Sequence, residues 1–355
     1  MFVIPLLTGG GAERVTAVLA SRISRMEGHE VHVVTYYRDQ DRDYPLAEGV
    51  IRHSMDREAG LTEKIGYLRR TIRNVKPDCV ISLGGAGIAA LLAVSVAGLK
   101  IPLILSERND PRSDPKSLLL RLLRQWAYRC CDGVVFQTHE AMEFFFPGIQ
   151  RKSCVICNPL TGNLPPRFDG IREKRIVTCC RLNAQKNLDL MIDAFAGLAP
   201  EFTDYTLHIY GEGEERPRLE EKIQRMGLAD RVFLRGYSNR IYEEIRKAAL
   251  YVSSSDYEGI SNSMLEAIAL GIPTVCTDCP AGGARETIRH GVNGLLVPVG
   301  NREKLTRAME EVLADEAFAG KLSVEGEKLR DTISTENIAR QWLAFGERVE
   351  RKNER

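Results

Sequence analysis

Short apolar, β-branched runs alternate along the chain with longer stretches whose apolar residues recur at helical spacing. That alternation predicts parallel sheets covered by helices. In the first half the predicted strands are Phe2–Leu7, Val31–Tyr36, Cys79–Ser82, Leu103–Ser106 and Val134–Gln137. Helices are predicted over about Ala12–Glu27 and Pro115–Cys130, and Ala86–Ala97, the longest apolar stretch, reads as a buried helix. Near Asn158–Pro166 the pairs Asn158-Pro159, Thr161-Gly162 and Pro165-Pro166 cluster as an interdomain linker does. The pattern then restarts: strands at Arg175–Cys179, Thr206–Tyr210, Val232–Leu234, Leu250–Ser253 and Pro273–Thr277, with a helix from Leu188. The expectation is an α/β protein of two Rossmann-like domains, residues 1–160 and 161–334. The remaining segment, 335–355, is helical, with Ile338, Trp342, Phe345 and Val349 on one face. That stripe covers either its own domain or the first one.

Composition changes this picture in two places. The chain has 355 residues, 44% hydrophobic and 27% charged, with a net charge of +1; this excludes a protein whose whole surface serves nucleic acid. The balance is uneven, however. Residues 60–131 hold 12 Lys+Arg against 5 Asp+Glu, a net of +7, so the first half carries a basic surface suited to an anionic membrane or substrate. Met1–Leu7 is too short for a signal peptide, and no apolar run approaches about 18 residues; the expected location is the cytoplasm. Nine cysteines include the C-x-x-C spacings Cys154–Cys157 and Cys276–Cys279. Four such thiolates can hold zinc. Both pairs lie at or beside strands, though, where residues i and i+3 point to opposite faces. Free thiols in a reducing compartment are expected, and no metal.

Three constellations carry chemistry. Gly9-Gly10-Gly11 stands between a strand and a helix, where bare backbone and unpaired N–H groups can approach a phosphate. A tight turn without ligand would need the same residues. Arg181-Leu182-Asn183-Ala184-Gln185-Lys186-Asn187 follows the first strand of the second domain. Two cations at the carboxyl end of a parallel strand suit a diphosphate; a solvated basic loop is the plain alternative. Asp256–Gly271 follows a strand and opens a helix that closes at Gly271 before Pro273. Glu258 lies in its loop and Glu266 about one turn inside the helix, with N–H donors between them. Ser263-x-x-Glu266 also matches a capping box, in which Glu266 serves only its own helix, and Glu258 alone reads as a surface carboxylate.

Taken together, GGGAER, CRLNAQKN, YGEGEER, the Glu258-x7-Glu266 spacing and TDCPAGGARETIRHGVNGLLVPVG resemble, in order and over nearly the whole chain, the family 4 glycosyltransferases of GT-B fold. The resemblance implies two Rossmann-like domains facing each other across a cleft, the first binding acceptor and the second a nucleotide sugar. It implies a retaining hexosyl- or N-acetylhexosaminyltransferase using a nucleoside diphosphate sugar, by family default UDP-linked, without metal or other cofactor. The implied acceptor is a glycan or a polyprenyl-diphosphate-linked oligosaccharide, capsule or exopolysaccharide intermediate, met in the cytoplasm at the inner face of the cell membrane. Position by position, Arg181 and Lys186 match the residues that hold the diphosphate. Glu258 matches the acid on the transferred sugar and Glu266 the one on the ribose. Ile260, Ser261 and Asn262 supply amides, Gly236 and Tyr237 lie where the base is contacted, and Gly10 and Gly11 match the loop that closes over the diphosphate. Where many relatives carry His, this chain has Arg108, which can supply positive charge but not a proton near neutral pH. A nucleotide-sugar epimerase, or another sugar-active enzyme of the same fold without a lipid-linked acceptor, is the alternative.

The helix Lys116–Arg129 bears on the acceptor. Leu118, Leu119, Leu122, Leu123 and Trp126 form one face, flanked by Lys116, Arg121, Arg124 and Arg129. Such a helix either lies on an anionic membrane or packs its leucines on its own sheet with a solvated basic rim.

Overall fold

The apolar runs assemble into two parallel sheets. Phe2–Val3 (β1), Val31–Thr35 (β2), Val50–Ser54 (β3), Val80–Leu83 (β4), Leu103–Ser106 (β5), Gly133–Phe136 (β6) and Ser153–Val155 (β7) form the first, in the order β3-β2-β1-β4-β5-β6-β7. Glu173–Cys179 (β8), Thr206–Tyr210 (β9), Val232–Gly236 (β10), Ala248–Ser253 (β11), Thr274–Thr277 (β12) and Leu295–Val297 (β13) form the second, in the order β10-β9-β8-β11-β12-β13. The strand pairings in both sheets are parallel. These elements come from a computed structural model that describes residues 1–37, 42–55, 57–162 and 164–353. Asn163 of the predicted linker and the last two residues of the segment 335–355 lie outside them.

The chain divides into two units, Met1–Thr161 with Ile333–Arg355 and Gly162–Thr332. In each sheet the strand order reverses once, at β1/β4 and at β8/β11, so each unit has its own crevice beyond the carboxyl ends of those two strands. The predicted helices appear as Gly11–Ile23, Gly87–Ala97, Leu118–Cys130 and Leu188–Leu198. The predicted strand Phe2–Leu7 is reduced to Phe2–Val3, because Pro5 has no N–H to give the ladder; its carbonyl still accepts from Tyr36 at 2.9 Å.

The C-terminal helix Thr335–Asn353 belongs with the first unit. Its stripe of Ile338, Trp342, Phe345 and Val349 is 0–4% exposed, and Phe345 and Val349 lie against Gly133 of β6. Among the described residues no helix is long and apolar enough to cross a membrane.

Candidate functional site

The second unit's crevice is built from the loops after β8 and β11, neighbours in the sheet although their residues are some 70 positions apart. After β8 the chain makes a single turn, Ala184–Lys186, ending on Asn187 in the left-handed region at φ 42. Asn187 then caps the helix Leu188–Leu198 by accepting from the N–H of Leu190. Ser254 Oγ, from the loop after β11, donates to the carbonyls of Lys186 at 2.8 Å and Asn187 at 2.9 Å. Asn187 Nδ2 donates to Asp256 Oδ1 at 2.7 Å and Gln185 Nε2 to the carbonyl of Tyr257 at 2.8 Å. The two loops are thereby stapled side by side.

That staple brings Lys186 to Glu258. The ammonium of Lys186 donates to Glu258 Oε2, which also accepts from Ser255 Oγ at 3.1 Å. Both side chains are largely but not wholly buried, 14% and 20% exposed. Burial alone would lower the Lys186 pKa; the Glu258 carboxylate outweighs it and holds it above the ordinary lysine range. The pair is therefore oriented and partly water-accessible. A ligand can compete for either partner.

Beyond Glu258 the backbone leads into the helix Asn262–Ala269, whose N-cap is Ser261, its hydroxyl accepting from the N–H of Met264. Ile260, Ser261 and Asn262 thus stand at a helix N-terminus beside the Lys186–Glu258 pair, where amides meet an anion favourably. The capping-box reading of Glu266 fails on this geometry. Ser263 lies inside the helix, its hydroxyl 3.0 Å from that of Tyr251 and 3.1 Å from that of Ser261, and Glu266 sits in the second turn, 5% exposed.

Gly236 closes β10, its carbonyl accepting from the N–H of Gly211 at 2.8 Å, and Tyr237 beside it is 81% exposed. Arg181 is exposed at the mouth of the same sheet. Residues given no role in the sequence reading nonetheless shape the site: Asn187 and Asp256, at the ends of two of the motifs, and Ser254 and Ser255, just before the second, hold the loops.

The first unit holds the other predicted residues. Gly10 is the N-cap of the helix Gly11–Ile23. Arg108, after β5, donates through Nη2 to Asn158 Oδ1, which also accepts from Gln137 Nε2 at 2.7 Å; its Nε and Nη1 are buried without a partner among the described residues. Burial lowers its pKa to about 10, which leaves it a cation at neutral pH. Arg108 lines a cavity of about 320 Å³ together with Gly84, Gly85, Ser106, Glu107 and Arg124.

Arg124 corrects an expectation. It does not flank the leucine face of its helix; it points inward, 3.0 Å from Glu107 Oε2, and donates to the carbonyls of Asp114 and Pro111. Burial pushes the Glu107 carboxyl up to about 7, against the pull of Arg124. A carboxyl whose folded pKa is raised stabilises the fold fully below its unfolded pKa, and that contribution is lost as pH rises through the folded value. Thermal melts of the wild type should therefore lose stability between about pH 4.5 and 7, and Glu107→Gln should lack that slope. An identical slope in the variant removes Glu107 from this role.

Cys154 and Cys157 belong to the first unit, Cys276 and Cys279 to the second. Among the described residues no three His, Cys, Asp or Glu gather to hold a metal.

With this geometry in hand, comparison with known proteins gives a consistent answer. The model of the family "Glycosyltransferase Family 4" matches residues 9–161, and that of "Glycosyl transferases group 1" residues 169–329. The chain belongs to the family 4-type GT-B glycosyltransferases. A structure of Anabaena HepE in complex with UDP and glucose shares the fold, with a TM-score of 0.81 over 97% of each chain at 19% identity. The GalNAc-alpha-(1->4)-GalNAc-alpha-(1->3)-diNAcBac-PP-undecaprenol alpha-1,4-N-acetyl-D-galactosaminyltransferase of Campylobacter jejuni is 26% identical over 96% of both chains. An exopolysaccharide phosphotransferase of Streptomyces coelicolor is 30% identical over 81% of this chain, which spans only 30% of that longer protein.

Proposed function

We propose that this glycosyltransferase moves a hexosyl or N-acetylhexosaminyl group from a nucleoside diphosphate sugar, UDP-linked, to a glycan acceptor carried on a lipid or a growing polysaccharide, with retention of anomeric configuration. The observation that carries the proposal is the Lys186–Glu258 pair stapled beside the N-terminus of the helix Asn262–Ala269. A diphosphate displaces Glu258 from Lys186 and takes the ammonium, with Arg181 and the amides of Ile260, Ser261 and Asn262 around it. The freed carboxylate then accepts from hydroxyls of the transferred sugar. Glu266 is assigned to the ribose, Gly236 and Tyr237 to the base, and Gly10, Gly11 and Arg108 to donor binding.

In this reading catalysis is orientation plus stabilisation of the departing diphosphate. The leaving oxygen takes the acceptor proton on the face where the new bond forms, so no covalent nucleophile is needed and no metal. The UDP-bound Anabaena structure supports the donor class, and the full-length Campylobacter relative supports the lipid-linked acceptor.

The test is to incubate the chain with UDP-hexoses and UDP-N-acetylhexosamines, with and without a polyprenyl-diphosphate-linked acceptor, and read the products by NMR. Release of UDP only with acceptor present, and an α-linked product from an α-donor, is the expected result. Interconversion of the donor without acceptor would establish an epimerase instead, and a β-linked product would remove retention.

A further inference from the structure

The helix Leu118–Cys130 turns its apolar face to solvent. Leu118 is 71% exposed, Leu119 64%, Leu122 60% and Trp126 43%. The face continues onto the connection between the short helices His139–Glu143 and Pro147–Gln150, where Phe144 and Phe146 are also exposed. The Arg129 guanidinium lies 4.8 Å from the centre of the Phe146 ring and that of Arg112 5.8 Å from Phe144, so cations are interleaved with the aromatic rings. Soluble proteins show apolar side chains scattered singly; a contiguous group of this size marks a surface that meets another phase or partner.

We propose that this surface docks on an anionic lipid bilayer. The leucines, Trp126 and Phe146 enter the boundary between headgroups and acyl chains, and Lys116, Arg121 and Arg129 meet the lipid phosphates.

Charge selects the bilayer over a second copy of this chain. The helix Leu118–Cys130 contains no acidic residue, and residues 60–131 carry a net +7, so two copies face to face would bring like charges together. Carboxylates near this surface are Glu140, which Arg112 engages at 2.7 Å, Glu143 on the same short helix, and the exposed Asp114 two residues before Lys116. Tryptophan and arginine beside leucine suit the interface, where one end of a side chain is apolar and the other wet. The inward turn of Arg124 onto Glu107 anchors the opposite side of the helix, so the leucine face has no sheet of its own to cover. Leu120, on the same helix, lines the cavity of Arg108 and Glu107; docking therefore sets that cavity at the bilayer surface. The use of this surface rests on the proposed lipid-linked acceptor, but its existence does not.

The test is flotation of the full chain with vesicles of phosphatidylcholine alone or mixed with phosphatidylglycerol, neither carrying acceptor. The wild type should float with the anionic vesicles and be released as salt rises. Leu119→Glu with Leu122→Glu should bind about 10-fold less or worse, and Arg129→Ala about 5-fold less, the share of one cation near a charged surface. Unchanged thermal melts and UDP binding confirm that the variants are folded. Wild-type chain that stays unbound, or a double variant that floats equally well, overturns the proposal, as does a concentration-dependent dimer that the double variant dissolves. Flotation without sugar transfer would sink the functional reading alone; transfer to a water-soluble acceptor without flotation would sink only this one.

Discussion

Lys186→Ala should lower kcat for sugar transfer by about 10²- to 10³-fold, the loss seen when one stabiliser of a developing leaving charge is removed. Two features make this larger than a surface lysine could cause. The Lys186 side chain is only 14% exposed, so its charge acts through little water. Its removal also leaves the Glu258 carboxylate facing the diphosphate, with Ser255 Oγ its remaining hydrogen-bond donor among the described residues, and attraction becomes repulsion. The loop itself should survive, because Ser254 grips the carbonyls of Lys186 and Asn187 rather than the lysine side chain. Glu258→Gln keeps the shape but removes the charge that Lys186 answers in the empty site. It should act on sugar recognition, lowering kcat/KM by about 10-fold or more. The two residues touch, so their effects should not add, and the double variant Lys186→Ala with Glu258→Gln should lie well short of the product of the single losses. Steady-state kinetics that separate kcat from KM decide the matter. A Lys186→Ala enzyme at wild-type rate would end the assignment.

Much of the site was legible before the structure, for a reason that also explains what was not. Interior strands of a parallel sheet are buried on both faces and leave continuous apolar runs, so Leu103–Ser106 and Thr206–Tyr210 were read with their observed limits. The edge strands β3, β7 and β13 were missed. Val50–Ser54 is only half buried and carries Arg52 and His53, while β7 and β13 have three residues each. Lys186 and Glu258 were both recognised as charged groups at strand ends. Their contact could not be read, because it depends on β8 and β11 being neighbours at the point where strand order reverses. Arg124 shows the converse failure. Apolar faces are expected to point inward, which would leave Arg124 on a solvated rim; it lies about half a turn round the helix from the leucines. Once those leucines face outward, the same periodicity requires Arg124 to be inside, and the buried Glu107, 17 positions earlier, with the carbonyls of Asp114 and Pro111, makes that tolerable.

Gly283→Ala should be the most damaging change of a residue that bears no functional group. A Cβ on Gly283 would fall 1.7 Å from the carbonyl oxygen of Gly259 and 2.6 Å from its carbon. Both are backbone atoms, so no side chain can rotate away, and one of two segments must move. They are tied immediately before the contact: the N–H of Glu258 donates to the carbonyl of Pro280 at 2.7 Å, and the N–H of Ala281 to the carbonyl of Glu258 at 3.1 Å. Relief must come from displacing Glu258 and the entry to the helix at Ser261 together. Overpacking of this kind costs about 1–3 kcal/mol of stability, and a shift of about 1 Å in a positioning group costs about 10²-fold in rate. Gly320→Ala is the matching control, since a Cβ there meets nothing within 4 Å and the residue lies inside the helix Glu316–Glu327; it should stabilise by about 0.5–1 kcal/mol. The two alanines should therefore move melting temperature in opposite directions, while only Gly283→Ala loses transfer activity and tight donor binding. If Gly283→Ala melted and turned over like Gly320→Ala, the close approach of Gly259 to Gly283 would have no part in setting Glu258 against Lys186.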